Sequence, residues 1–329
     1  MEYRQLGSTG LQVSAIGLGT WEIGNPGYGQ TIEEEAIAAI LRALDLGVTC
    51  FDTAPVYGCG RAEIVLGRAL GRQRHDVVLI TKCGLAWSGP DDAPQVRRDA
   101  SRGRILAEID ESLRRLETDW VDLYLVHWPD RATPIEETAR AMADVLQAGK
   151  TRAVGVSNFS LAQLQAFESI CPVAVIQMGY NLFDRRIEAD LLAYCRDRGI
   201  AIIAYGALCY GLLTGTFTTS TRFTPPDWRA TGSAFGLSLF TPDNLPRNIA
   251  VVEKLKAVAG TRGKTTPELA LNWLINRPGV TLGLTGVRRP AEIEENVNAI
   301  GWQLSPNELR QIDDILTSAA GNTGPLPDW

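Results

Sequence analysis

Short apolar runs rich in β-branched residues alternate along the chain with longer stretches in which apolar positions return every three or four residues. Runs of the first kind predict strands and stretches of the second predict helices, so the alternation predicts repeated βα units around a parallel sheet. Eight runs stand out: Ala15 to Gly19, Val48 to Phe51, Val77 to Thr81, Val121 to Val126, Ala153 to Val156, Val173 to Gln177, Ile200 to Ala204 and Val280 to Thr285. Ahead of them, Tyr3 to Leu6 and Leu11 to Val13 flank the turn-rich Gly7-Ser8-Thr9-Gly10. That stretch predicts a hairpin that closes the floor of a barrel.

Helix starts are marked where a Ser or Thr oxygen can accept a free backbone N–H and an acidic or amide side chain three residues on can reach back. Thr31 with Glu34, Thr133-Pro134 with Glu136, Ser160 with Gln163 and Ser305-Pro306 with Glu308 are read as such starts. After Ser101, residues Ile105, Ile109, Leu113 and Leu116 share one helical face, with Arg104, Glu108, Glu111 and Arg115 expected to point elsewhere. Eight strands alternating with helices suit either a closed barrel or an open doubly wound sheet. An open dinucleotide-binding sheet would carry G-x-G-x-x-G in its first βα turn, and here Gly17-Leu18-Gly19 is followed by Gly24, two residues too late. The expectation is a (β/α)8 TIM barrel with an N-terminal hairpin, auxiliary helices and long βα loops, taking residues 1–329 as one domain. Gly84 to Ala100 and Tyr210 to Pro246 show no period and are expected to be lids at the C-terminal ends of strands, where barrel active sites are built.

Composition narrows the function. The 329 residues are 45% hydrophobic and 21% charged, with a net charge of −6 and no long basic run, which argues against a nucleic-acid partner. No signal-like apolar core and no window near membrane-span length stand in the chain, so a cytoplasmic protein without a membrane partner is expected. The cysteines at 50, 59, 83, 171, 195 and 209 are scattered, contain no C-x-x-C pair and have only two histidines beside them. They are expected to be free thiols with no metal site, Cys59 being the one in a Gly-flanked loop near Tyr57.

Four polar residues converge if the barrel closes. Asp52 ends the second strand, Tyr57 follows it, Lys82 ends the third strand and His127 ends the fourth, so all four ring one mouth. Taken singly, each has an ordinary structural role as an ion pair, a packed phenol or a satisfied imidazole. Together they would be costly to desolvate without a function. Hydride arriving at a carbonyl carbon leaves negative charge on oxygen, which calls for a proton donor and for groups that hold that oxygen. Tyr57 is the candidate donor, Lys82 is expected to acidify it, Asp52 to keep Lys82 charged and aimed, and His127 to orient the carbonyl. A Schiff-base role for Lys82 would need an uncharged amine, and Asp52 argues against it.

Gly17-Leu18-Gly19-Thr20-Trp21, Phe51-Asp52-Thr53-Ala54 with Tyr57-Gly58, Lys82 and His127-Trp128-Pro129 resemble the motifs of the aldo-keto reductases in order and spacing, over nearly the whole chain. The resemblance implies a barrel enzyme that reduces small aldehydes or ketones with NADPH, or with NADH as the alternative, through an Asp, Tyr, Lys, His tetrad. It implies cofactor contacts from Thr20, Trp21, Ser157, Asn158 and Gln177, and a nicotinamide stacked on Tyr205. Gly211-Leu212-Leu213-Thr214-Gly215 resembles the loop that covers the pyrophosphate, Gly206 and Leu208 would add cofactor contacts, and Gly286, Arg288, Glu292, Glu295 and Asn296 would hold the adenosine end. Ala207 and Thr216 depart from the Pro and the basic residue usual there, and Glu292 stands where Gln or Arg is frequent. From the residues alone, Ser157-Asn158 reads equally well as a helix cap. Trp21, Trp87 and Trp128 are expected as apolar pocket walls. A nicotinamide-binding regulatory subunit with weak or no turnover is the alternative function. Oligomeric state is not addressed by the sequence.

Overall fold

A computed structural model describes residues 1–24, 27, 31–90 and 94–326. The strands in chain order are β1 (Tyr3–Gln5), β2 (Gln12–Ser14), β3 (Ile16–Gly19), β4 (Cys50–Asp52), β5 (Val78–Cys83), β6 (Leu85–Ser88), β7 (Gln95–Arg98), β8 (Val121–Val126), β9 (Thr151–Ser157), β10 (Val175–Gly179), β11 (Ala201–Tyr205) and β12 (Val280–Gly286). The helices are α1 (Trp21–Gly24), α2 (Glu33–Asp45), α3 (Arg61–Leu70), α4 (Arg102–Arg115), α5 (Ile135–Gln147), α6 (Leu161–Glu168), α7 (Leu191–Arg198), α8 (Asn244–Gly260), α9 (Thr266–Ile275), α10 (Pro290–Val297) and α11 (Pro306–Leu316). Among the described residues, eight parallel strands close into a barrel in the order β3, β4, β5, β8, β9, β10, β11, β12, with β12 pairing back to β3. This is the (β/α)8 TIM barrel, and each of the eight strands expected from the sequence is present.

Two apolar cores follow from strand alternation, because successive side chains point to opposite faces. Cys50, Val78, Ile80, Leu123, Leu125, Val175, Ile203 and Leu282 fill the barrel interior. Their neighbours Phe51, Leu79, Tyr124, Val126, Ile176 and Ile202 face outward to the helices. The antiparallel hairpin of β1 and β2 sends Leu6 and Val13, both fully buried, into the lower end of the inner core, so it does close the floor.

Local chemistry departs from expectation at several points. Ser160 with Gln163 and Ser305 with Glu308 form capping boxes, and so do Thr265 and Glu268, which the pattern alone did not bring forward. Thr31 does not cap α2: its hydroxyl donates to the Glu22 carbonyl at 2.9 Å, and Ile32 takes the N-cap position. Thr133 likewise donates to the Asp130 carboxylate at 2.6 Å, leaving Pro134 at the start of α5. Glu108 was expected to point away from the barrel and is instead fully buried. It accepts the Gly84 N–H at 2.9 Å and an Arg104 N–H at 3.2 Å, and burial raises its carboxyl to about 7. The segment Gly84 to Ala100 is not structureless, since β6 and β7 pair as an antiparallel hairpin; residues 91–93 of it lie outside the described residues.

Candidate active site

The same alternation that fills the barrel builds its mouth. Continuing the inward positions by one step past the apolar layer gives Gly19, Asp52, Lys82, His127, Ser157, Gln177, Tyr205 and Gly286 on the eight strands in turn. The polar ring therefore results from register, with apolar side chains below it.

Lys82 is fully buried and fixed by three bonds: its Nζ donates to Asp52 Oδ1 at 2.6 Å, to the Thr53 carbonyl at 2.8 Å and to the Tyr57 hydroxyl at 3.3 Å. The second Asp52 oxygen accepts from Gln177 Nε2 at 2.7 Å. The imidazole of His127 meets the Tyr57 ring edge-on at 5.7 Å between centroids. The four residues expected to ring one mouth are thus brought together. Glycine is required beside them, because a Cβ on Gly24 of α1 would overlap the backbone carbonyl of Tyr57.

Burial dominates the charges here. It raises the Tyr57 hydroxyl well above the ordinary phenol value, and the Asp52 carboxylate, Glu22 and Tyr205 add to the rise. The acidification expected from Lys82 is therefore not the net result: desolvation outweighs the ammonium. Burial pulls Lys82 down from the ordinary lysine value while Asp52 opposes the pull. Burial and then the Lys82 charge hold His127 well below the usual imidazole value, so it is neutral near pH 7.

The residues expected to meet a dinucleotide stand at the ends of barrel strands or in the segments that follow them. Asn158 adopts a left-handed backbone with φ of 62°, which Asn tolerates better than most residues. Its amide donates to the His127 carbonyl at 3.0 Å and accepts from the Tyr205 hydroxyl at 2.7 Å. Ser157 donates to the Gln177 carbonyl at 2.9 Å, and Ser160, not Ser157 or Asn158, caps α6. Thr20 is buried and donates to the Asp52 carbonyl at 3.1 Å. Gly206, Leu208, Leu212 and Gly215 lie in or beside the 3-10 turn Cys209–Thr214 above β11. At the end of β12, Glu292 accepts the Arg288 backbone N–H at 2.7 Å and pairs with the guanidiniums of Arg288 at 3.6 Å and Arg289 at 3.2 Å. Glu295 and Asn296 follow on α10, Asn296 buried.

Of the three expected pocket tryptophans, two meet above the mouth through a residue the sequence did not single out. Phe235 stacks on Trp128 at 6.1 Å and 9° between planes, and its ring also lies 5.9 Å from Trp21, 5.7 Å from Tyr205 and 5.2 Å from Tyr210. Trp228 adds to the group at 5.7 Å from Trp21. Trp87 sits apart on β6, beneath the Arg104 guanidinium at 5.9 Å. Phe235 has a left-handed φ of 47°, and its carbonyl accepts from Arg186 at 3.1 Å. Arg186 is itself seated on Asp184 by two bonds of 2.7 Å and also donates to the Pro325 carbonyl at 2.7 Å. The aromatic residues of the long segment Tyr210 to Pro246 were the available signal, but without periodicity nothing in the sequence aims them.

Comparison with known proteins settles the family. The model of the "Aldo/keto reductase family" matches residues 15–317. The chain belongs to the aldo/keto reductase family. It is 42% identical to aldo-keto reductase YhdN of Bacillus subtilis over 96% of this chain and 94% of that one. It is 33% identical to an NADH-specific methylglyoxal reductase of Escherichia coli over 91% and 94%. Among solved structures it is similar to the glycerol dehydrogenase AKR11B4 from Gluconobacter oxydans, with a TM-score of 0.89, 37% identity and coverage of 99% and 98%. This aldo-keto reductase is an NAD(P)H-dependent oxidoreductase acting on small carbonyl compounds, and the regulatory-subunit alternative is not favoured. No helix among the described residues is long and apolar enough to cross a membrane.

Proposed function

We propose that the protein reduces aldehydes or ketones to alcohols with NADPH and that Tyr57 gives the proton. The observation that carries this reading is the Lys82 ammonium held by Asp52 and 3.3 Å from the Tyr57 hydroxyl. What supports a dinucleotide here is Gly286 at the end of β12, whose missing side chain leaves room now taken by the Glu22 carboxyl, together with the Tyr205 ring at the end of β11. A reduced nicotinamide held there would supply the hydride. Tyr57 enters protonated, since burial keeps its proton on, and releases it as charge grows on the carbonyl oxygen. Lys82 stabilises the phenolate that results, a charge pair at about 4 Å being worth on the order of 4 kcal/mol at an effective dielectric near 20. Neutral His127 can donate one hydrogen bond to the carbonyl oxygen and so fix its direction.

Ser157, Asn158 and Gln177 would orient the nicotinamide, and Arg288 would take the 2′-phosphate bidentately. Glu292 partly offsets that charge, while Arg288 and Arg289 together exceed it. Trp21, Trp128 and Phe235 would form an apolar wall suited to an aromatic or aliphatic carbonyl. A cytoplasmic location and a single domain spanning the chain belong to the same reading. A panel of aldehydes and ketones assayed with NADPH and NADH side by side tests substrate and cofactor. Tyr57→Phe is expected to lose about 10²–10⁴-fold in kcat with cofactor affinity retained. Normal turnover by that variant would sink the proton-donor assignment.

A further inference from the structure

Glu22 follows the Thr20-Trp21 pair, on α1. Its carboxyl lies directly over Gly286: a Cβ built there would overlap the carboxyl carbon and both oxygens. The backbone beneath is pinned, with Ile23 N–H donating to the Thr20 carbonyl at 3.0 Å and Thr31 donating to the Glu22 carbonyl at 2.9 Å. The carboxyl therefore fills the very cradle that Gly286 leaves for a dinucleotide, and two groups cannot share it. With its backbone pinned, Glu22 can leave the cradle only by turning about its side-chain bonds.

We propose that Glu22 belongs to the cofactor site, occupying the Gly286 cradle until a dinucleotide displaces it and carrying a proton once phosphate lies beside it. The inference rests on the cofactor assignment of this cleft. The charges that face Glu22 come from two sides. Arg288 and Glu292 act from the β12–α10 corner with opposite signs, and Tyr57, with Lys82 and Asp52 behind it, closes the floor. Although the residue keeps part of its surface in solvent, its carboxyl is withdrawn from water, and that burial raises it to about 7 against the lowering by its own backbone N–H and Arg288. A pyrophosphate arriving alongside adds negative charge and raises it further. The complex then holds more protons than the free protein, so affinity is highest below about pH 7 and falls as pH rises through that value.

The test is dinucleotide binding, read by quenching of tryptophan fluorescence, with NADH as the probe because it lacks a 2′-phosphate that titrates near pH 6. Between pH 6 and pH 8 the Kd of the unaltered protein is expected to rise by up to about tenfold, the limit for one proton in that range. Glu22→Gln is expected to show a flat profile and to bind more tightly than the unaltered protein at pH 8. Glu22→Ala should behave the same way, so that a folding defect in one variant does not decide the matter. Calorimetry in buffers of different ionisation enthalpy should register proton uptake at pH 7 for the unaltered protein and none for either variant. Parallel pH profiles in all three proteins would overturn the assignment of Glu22 alone. Absence of NADH and NADPH binding at every pH would overturn the cofactor reading of the cleft, and this inference with it.

Discussion

Two buried ion pairs stand at opposite ends of the barrel. At the lower end Arg74 meets Asp122 at 2.9 Å, both nearly inaccessible, and the Asp122 oxygens also accept from Arg152 at 2.9 Å and from the Leu79 N–H at 3.0 Å. Arg74 spends another donor on the Trp120 carbonyl at 2.7 Å. At the upper end Lys82 meets Asp52 at 2.6 Å, but one Lys82 donor is turned to the Tyr57 hydroxyl. The lower pair is closed upon the scaffold, whereas the upper one passes its charge to a group that faces the mouth. Two pairs of similar burial can thus serve opposite ends, and what separates them is where the remaining hydrogen bonds go.

The largest effect should come from truncating each cation. Lys82→Met leaves Asp52 buried without its ammonium, so a stability loss of about 3–5 kcal/mol is expected together with a fall in turnover of at least about 10²-fold. Arg74→Met should cost about 3 kcal/mol, near the low end because Arg152 and the Leu79 N–H remain on Asp122, with kcat/KM of the folded fraction unchanged. Urea denaturation alongside steady-state kinetics separates the two outcomes. An Arg74 variant that lost turnover in proportion to stability would erase the distinction. A next step is Gly24→Ala, which should push the Tyr57 backbone away from Lys82. Displacements of about 1 Å cost on the order of 10²-fold, so kcat should fall that far, and the thermal midpoint should fall as well because the atoms displaced are backbone. The smallest effect is expected from Phe235→Ala, which removes one ring from the aromatic wall. About tenfold in kcat/KM, or ~1.4 kcal/mol, should be lost for bulky apolar carbonyls and less for the smallest ones. Equal loss across the substrate panel would place Phe235 in the scaffold only.

The division between what was legible in the sequence and what was not follows the same physics. Asp52, Lys82 and His127 stand at strand ends, and strand alternation carries them inward without any knowledge of loops. Glu108 was misplaced because a charged residue next to Ile105 and Ile109 reads as solvent-facing. Its partners, the Gly84 N–H and Arg104, come from the fold and remove the penalty for burying it. Thr31 and Thr133 have the composition of caps, but each hydroxyl donates to an acceptor earlier in the chain instead. The direction of the Tyr57 shift also needed coordinates: the sequence supplied the neighbouring cation, and only the degree of enclosure showed that desolvation exceeds it. Phe235 lies in a stretch with no period, so its position over Trp128 depends on tertiary contacts such as the Arg186 clamp.

That clamp joins parts of the chain that are far apart in order. One guanidinium grips the carbonyls of both Phe235 and Pro325 while seated on Asp184. The closing stretch of the polypeptide is thereby a mechanical extension of the mouth. A change that shifts the Pro325 carbonyl is expected to reach the Phe235 ring through Arg186 and to leave Asp52, Tyr57, Lys82 and His127 in place.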